Sequence, residues 1–307
     1  MKKNVFIIYG GPGGEHEVSC KSAETIFNAI NKRTNSVSKV FIDKKLKYFL
    51  NGEAISKENL FTKMKDGVAF SVVHGEFGED GQLQKILEKN KIKFIGSGSK
   101  VSQLAIDKIK TQRKLSKNGI VSPKSKIITS RLNKVTFKFP LILKPNNEGS
   151  SLGLYKIISN EDLKDKLKMF FKTYKSGLLQ EFVTGREFTC GVVEYGGEVV
   201  ALPPSEVILT DTATFNYEAK YTKGRCLEVT PAKINNDLKI KIQTEAVKIF
   251  KEMGCKAFAR IDMIYTKDGE LYFLEINTIP GMTATSFIPQ QLKAAKINLK
   301  DFIDKLI

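Results

Sequence analysis

The chain has 307 residues, enough for two or three domains at roughly 100–200 residues each. Hydrophobic residues make up 41% and charged residues 27%, with no low-complexity tract or internal repeat, which excludes a disordered or fibrous protein. The formal net charge is +17, but the lysines are scattered (Lys44, Lys45, Lys47; Lys164, Lys166, Lys168; Lys239, Lys241) and no basic run alternates with aromatics, so no nucleic-acid partner is expected.

The N-terminus offers only the short apolar run 5–9, too brief for a signal segment or a membrane span, and a cytoplasmic protein without a membrane partner is expected. Cys20, Cys190, Cys226 and Cys255 lie far apart without a CxxC pair, which suggests neither a zinc site nor a disulfide framework.

Run 5–9 reads as a buried strand broken by Gly10-Gly11-Pro12-Gly13-Gly14. Cys20, Ala23, Ile26, Phe27 and Ile30 then recur at helical spacing. Further apolar runs at 40–42 and 68–73 alternate with helical stretches and close near Ile95-Gly96, the pattern of a doubly wound unit. From Ser99 one long helix is expected, with Val101, Leu104, Ala105, Ile109 and Leu115 on one face, ending at Asn118-Gly119. A second unit follows: an apolar run 139–143 into Lys144-Pro145, a glycine turn 148–153, a helix around 161–174, and strands at 178–182, 187–194 and 199–202. The stretch 203–224 reads as irregular and is longer than compact domains usually leave structureless, which hints at a lid or binding loop before a strand at 225–229. A helix at 236–253 leads into a hairpin over 257–277.

In that hairpin Phe258, Arg260, Asp262 and Ile264 alternate with apolar neighbours and share a face, and Phe273, Glu275 and Asn277 share a face on the returning strand. Asp268-Gly269 favours a two-residue turn, which would oppose Lys267 to Glu270, Asp262 to Glu275 and Arg260 to Asn277. Two carboxylates about 5 Å apart across a ladder repel unless a cation lies between them. Two carboxylates and an amide oxygen form a hard oxygen donor set suited to magnesium shared with phosphates, which implies a nucleotide. The plainer alternative is an ordinary solvated face of a half-exposed sheet.

Arg260-Ile261-Asp262 and Leu274-Glu275-Ile276-Asn277-Thr278-Ile279-Pro280-Gly281-Met282-Thr283 resemble the C-terminal signature of the D-alanine:D-alanine ligases of the ATP-grasp superfamily. The resemblance extends to the glycine run with Glu15-His16-Glu17-Val18-Ser19, to His74-Gly75-Glu76-Phe77-Gly78-Glu79-Asp80-Gly81, to the phosphate loop Glu148-Gly149-Ser150-Ser151-Leu152-Gly153, and to Tyr217-Glu218-Ala219-Lys220-Tyr221. It implies an α/β and α+β architecture. A doubly wound N-terminal domain (1–97) contributes to the D-alanine site. An ATP-grasp fold of two mixed subdomains follows, with the phosphate loop in 98–180 and the metal and substrate site in 181–307.

The resemblance further implies ligation of two D-alanine molecules for peptidoglycan synthesis. ATP phosphorylates one carboxylate and the second amine attacks the acyl phosphate, so the protein's work is positioning and charge neutralisation. Two magnesium ions, replaceable by manganese, would sit on Asp262, Glu275 and Asn277. Lys108, Lys144 and Lys220, with the amides of Gly149, Ser150 and Ser151, would address phosphates. Gln180, standing where the family often has glutamate, would join Glu181, Val183 and Glu187 around adenine and ribose. Glu15 would take the first ammonium, Arg260 and the Gly281 N–H the oxyanion, and Ser286 the second carboxylate. His74 would be a substrate-side contact, and Ser150 and Tyr221 would link two loops over the site. A homodimer is implied as well.

The nearest alternative is a relative that joins D-alanine to D-lactate, against which Tyr221 argues. A dinucleotide-binding oxidoreductase is the rival from another class. Its glycine run lacks GxGxxG spacing, Asp43 is a weak ribose ligand, and the hairpin goes unexplained.

Overall fold

The computed structural model describes residues 2–130, 137–149, 153–209 and 226–307, apart from the side chains of Leu209 and Cys226. Ser150, Ser151, Lys220 and Tyr221 therefore lie outside the described residues.

The first sheet has the order β4-β3-β2-β1-β5-β6, built from β1 (Lys3–Gly10), β2 (Asn35–Ile42), β3 (Tyr48–Leu50), β4 (Glu53–Ile55), β5 (Gly67–Ser71) and β6 (Lys93–Ile95). Its centre is parallel and its β2-β3-β4 edge antiparallel. β1 is buried on both faces, which is why its sequence is continuously apolar rather than alternating. Val5 and Ile7 pack with Ala23 and Ile26 of α1 (His16–Ala29), whereas Phe6 and Ile8 pack with Leu60 of α2 (Lys57–Met64) and Leu83 of α3 (Gln82–Lys89). At Gly10, φ is +90°, and a Cβ there would collide with the Ile42 carbonyl, so the turn out of β1 requires glycine.

The single helix expected over 99–118 is two, α4 (Ser99–Ile106) and α5 (Lys108–Ser116). Asp107 between them is extended, and its Oδ1 accepts from Lys110 N–H (3.1 Å) and from Asn146 Nδ2 (2.8 Å). The side chain thus caps α5, an interruption that apolar periodicity does not register.

The second sheet, order β7-β10-β8-β9, is antiparallel and comprises β7 (Ser125–Thr129), β8 (Leu141–Lys144), β9 (Tyr155–Ile157) and β10 (Ser176–Glu181). Leu163 and Phe170 of α6 (Asn160–Thr173) close it against Leu141, Leu143 and Leu179.

The third sheet runs β14-β13-β11-β15-β16, with β12 also on β11, and is antiparallel throughout. Its strands are β11 (Arg186–Tyr195), β12 (Glu198–Ala201), β13 (Ser205–Leu209), β14 (Cys226–Val229), β15 (Phe258–Tyr265) and β16 (Leu271–Asn277). β13 corrects the reading of 203–224 as wholly irregular: it pairs with both β11 and β14. The rest of that stretch, 210–224, lies outside the described residues. α7 (Asn236–Met253) coincides with its expected range because both ends are marked. Asn235 accepts from Leu238 N–H (2.9 Å), and Gly254 ends the helix at φ +76°. α8 (Phe287–Ala294) and α9 (Leu299–Leu306) return to the first sheet, where Phe302 and Ile303 join Val5 and Ile26 in one core. No helix among the described residues is long and apolar enough to cross a membrane.

Candidate active site

The hairpin β15-β16 pairs Arg260 with Asn277 and Asp262 with Glu275, as expected, but not through a two-residue turn. Thr266 N–H donates to the Glu270 carbonyl (2.9 Å) and Gly269 N–H to the Thr266 carbonyl (3.1 Å), enclosing the three residues Lys267, Asp268 and Gly269. The register then shifts between Asp262 and Met263, where Leu274 is the extra residue of a bulge that cancels the longer turn. Phe273 accordingly faces the core beside Met263 and Leu271, which corrects its expected place beside Glu275. The bulge also lets consecutive residues serve two adjoining cavities: Leu274 lines one and Glu275 the other.

The first cavity, of about 340 Å³, brings together Glu15, His74, Lys108, Gly149, Arg260, Glu275, Asn277, Gly281 and Ser286 from all parts of the chain. Lys108, buried by the break at Asp107, donates to the Glu148 carbonyl (2.5 Å) and lies 3.4 Å from Glu275 Oε2. Arg260 grips Asp262 with two bonds, Nε to Oδ1 (3.0 Å) and Nη2 to Oδ2 (2.9 Å). Burial alone would lower the guanidinium's pKa, but Asp262, Glu275 and Glu79 outweigh it and raise it, so Arg260 keeps its charge. Asp262 does not line the cavity but is buried behind Arg260, and Thr189 Oγ donates to its Oδ1 (2.5 Å).

His74 is buried with both ring nitrogens engaged by protein: Nδ1 donates to the Ile279 carbonyl (2.8 Å), and Nε2 is hydrogen-bonded to Ser22 Oγ (3.2 Å). Ser22 Oγ also accepts from Met282 N–H (3.2 Å), so His74 and Ser22 tie the first sheet to the loop carrying Gly281. Glu79 Oε1 lies 3.7 Å from His74 Nδ1. Burial alone would lower the imidazole, but Glu79, Glu15 and the Ile279 carbonyl raise it above its ordinary value. Burial lifts the Glu79 carboxyl as well, despite His74. At the far end Ser286 Oγ accepts from Thr283 N–H (3.1 Å), and a Cβ at Gly281 would stand 2.6 Å from that oxygen, so the close approach needs glycine.

The second cavity, of about 370 Å³, lies between the second and third sheets and is lined by Lys144, Gln180, Glu181, Val183 and Glu187, with Ile142, Ile264 and Leu274 as apolar walls. Arg186 and Glu206 brace its rim through a bidentate pair (2.7 and 2.8 Å). Sequence reasoning did not single out Thr189, Ser22 or Glu206, each one polar residue inside a helix or strand whose partner is remote, and it gave Glu79 no role of its own within the motif that also carries His74.

A mostly apolar, purine-sized cavity held between two antiparallel sheets, opening beside a cleft of paired carboxylates and guanidinium, defines an ATP-dependent ligase of the ATP-grasp class. The chain matches the family profiles described as D-ala D-ala ligase N-terminus over residues 4–66 and D-ala D-ala ligase C-terminus over residues 109–307. It is 36% identical to the D-alanine–D-alanine ligase of Carboxydothermus hydrogenoformans, over 98% of this chain and 96% of that relative. Among solved structures it resembles the VanG D-Ala:D-Ser ligase of Enterococcus faecalis (29% identity, TM-score 0.88, covering 100% of this chain and 98% of that one). It also resembles the D-alanine–D-alanine ligase of Bacillus anthracis complexed with ATP (25% identity, TM-score 0.80, covering 99% and 96%). The chain belongs to the D-alanine–D-alanine ligase family.

Proposed function

We propose that this protein condenses two D-alanine molecules into D-alanyl-D-alanine, with ATP converted to ADP and phosphate through an acyl phosphate. The observation that carries the reading is the convergence of Glu15, Arg260, Gly281 and Ser286 on one cavity that adjoins a nucleotide-sized one along β16. In this reading Gln180, Glu181 and Val183 hold adenine, Glu187 the ribose, and Lys144 and Lys108 the phosphates, with Gly149, Ser150, Ser151 and Lys220 completing the phosphate contacts. Glu15 anchors the first D-alanine by its ammonium. Arg260 and the Gly281 N–H receive the charge that builds on the carbonyl oxygen during attack; each such donor is commonly worth about 3–4 kcal/mol. Ser286, at the N-terminus of α8, meets the second carboxylate, an anion placed where the helix dipole favours it. His74 holds the Gly281 loop in place, and Tyr221 with Ser150 closes the site.

The donor set fits magnesium. Asp262, Glu275 and Asn277 supply oxygens, and Glu275 and Asn277 line the first cavity, with Lys108 3.4 Å from Glu275. Both oxygens of Asp262 are held by Arg260 at 3.0 and 2.9 Å, so Asp262 would join the metal by turning from that pair. When bound there, the metal would offset the charge of the transferring phosphates. Cytoplasmic residence, a role in peptidoglycan synthesis and a homodimeric assembly belong to the same reading and are supported by family membership.

Phosphate release from ATP and magnesium tests the proposal, with D-alanine, L-alanine, D-alanine plus D-lactate, or D-alanine plus D-serine supplied. Release that depends on D-alanine alone is expected. Release that needs D-lactate or D-serine would reassign the acceptor, and no D-alanine dependence would refute the reading.

A further inference from the structure

The second cavity contains a hydrogen-bond chain that the steps above do not use. Ser125 stands at the start of β7 and pairs directly across the ladder with Gln180 of β10. Ser125 Oγ–H donates to the Pro123 carbonyl (2.8 Å), and Gln180 Nε2 donates to Ser125 Oγ (2.8 Å). A hydroxyl has one proton, and a proline carbonyl can only accept. With that proton directed to Pro123, the Ser125 oxygen presents itself to Gln180 as an acceptor. The amide must then place its NH2 on Ser125, which leaves its carbonyl oxygen for the cavity that Gln180 lines. Among the described residues nothing donates to that oxygen, and Gln180 is only 3% exposed. Turned over, the amide would either set its oxygen against the Ser125 oxygen with no proton between them or draw the hydroxyl proton away from the buried Pro123 carbonyl, and either way one acceptor loses its donor.

We propose that Ser125 sets the nucleobase selectivity of this site by locking Gln180 with its acceptor toward the 6-position of a bound purine. The inference rests on the placement of adenine in the second cavity. A 6-amino purine offers that oxygen an N–H. A 6-oxo purine offers another oxygen and leaves both unpaired, a mismatch that polar sites reject strongly. Ser125 acts through Gln180 and is a positioning residue.

The test is calorimetric titration of the whole protein with ADP and with inosine diphosphate, in magnesium and without D-alanine. The unmodified protein should prefer ADP. Ser125→Ala frees the amide to turn over and should lower the ADP-to-inosine-diphosphate preference by about tenfold or more, whereas Ser125→Thr, which keeps the hydroxyl, should retain it. In a Gln180→Glu background the carboxylate has no donor end to misplace, so Ser125→Ala should there leave the preference unchanged. A Ser125→Ala protein that loses affinity for both nucleotides equally, or keeps the original preference, would overturn the proposal. Absence of ADP binding by the unmodified protein would instead remove the adenine reading beneath it.

Discussion

Replacing Thr189 by valine keeps the volume and branching of the side chain and removes one hydroxyl. That hydroxyl donates to Asp262 Oδ1 at 2.5 Å, and the two residues are 2% and 6% exposed, so water would not readily take its place. Hydrogen bonds to charged groups contribute about 1.5–3 kcal/mol. The lower end applies here, because Arg260 still donates to both oxygens of Asp262 at 3.0 and 2.9 Å. A loss of about 1.5 kcal/mol at about 2–4 °C per kcal/mol corresponds to a fall in melting temperature of about 3–6 °C. Thermal unfolding of Thr189→Val followed by circular dichroism measures it, with Thr189→Ser, which restores the donor, as control. The same valine variant should need more magnesium for half-maximal phosphate release, because an Asp262 carboxylate held only by Arg260 can turn with it. A Thr189→Val protein that melts with the parent and has an unchanged magnesium requirement would refute the reasoning.

Arg260→Ala should lower kcat for D-alanine-dependent phosphate release by about 10²–10³, and Arg260→Lys should not restore it, because a point charge cannot reproduce the two-bond grip on Asp262. Glu275→Gln should lose at least about 10–100-fold in activity at ordinary magnesium and recover partly as magnesium is raised; near-normal activity would contradict the metal assignment. The chain has only two histidines, so imidazole NMR can follow His74 directly. It should titrate above its ordinary value and drop below it in Glu79→Gln, where burial is less opposed. The folded state then binds more protons than the unfolded one, so this stabilisation is complete below the unfolded pKa of about 6.5 and is lost as pH rises through the raised folded value. The raised Glu79 carboxyl acts with the same sign from its own lower starting point. Thermal melts across pH should show that decline, and Glu79→Gln should flatten it.

What could be read in advance was what repeats or is marked locally. The helix at 236–253 has a cap at each end, and the Arg260/Asp262 and Glu275/Asn277 pairs follow from strand alternation. The pairing of Asp262 with Glu275 was reached through a regular hairpin, whereas the fold reaches it with one extra residue in the turn and one in the bulge. Nothing in Leu271-Tyr272-Phe273-Leu274 announces a bulge, because leucine suits either face. The break at Asp107 depends on Asn146, nearly forty residues away, and the strand Ser205–Leu209 becomes recognisable only once β11 and β14 flank it. Long-range pairs such as Ser22 with Met282, or Thr189 with Asp262, carry no signal in either partner's neighbourhood.

The bulge at Leu274 has a consequence for how such a protein can change. The boundary between its two chambers is one peptide unit wide, since Leu274 faces one and Glu275 the other. A shift of that strand by a bound base displaces the neighbouring carboxylate with no residue between to absorb it. Substitutions in β16 that re-shape the apolar wall will therefore re-aim the reacting end as well, and the two halves of the site have to be altered as a unit.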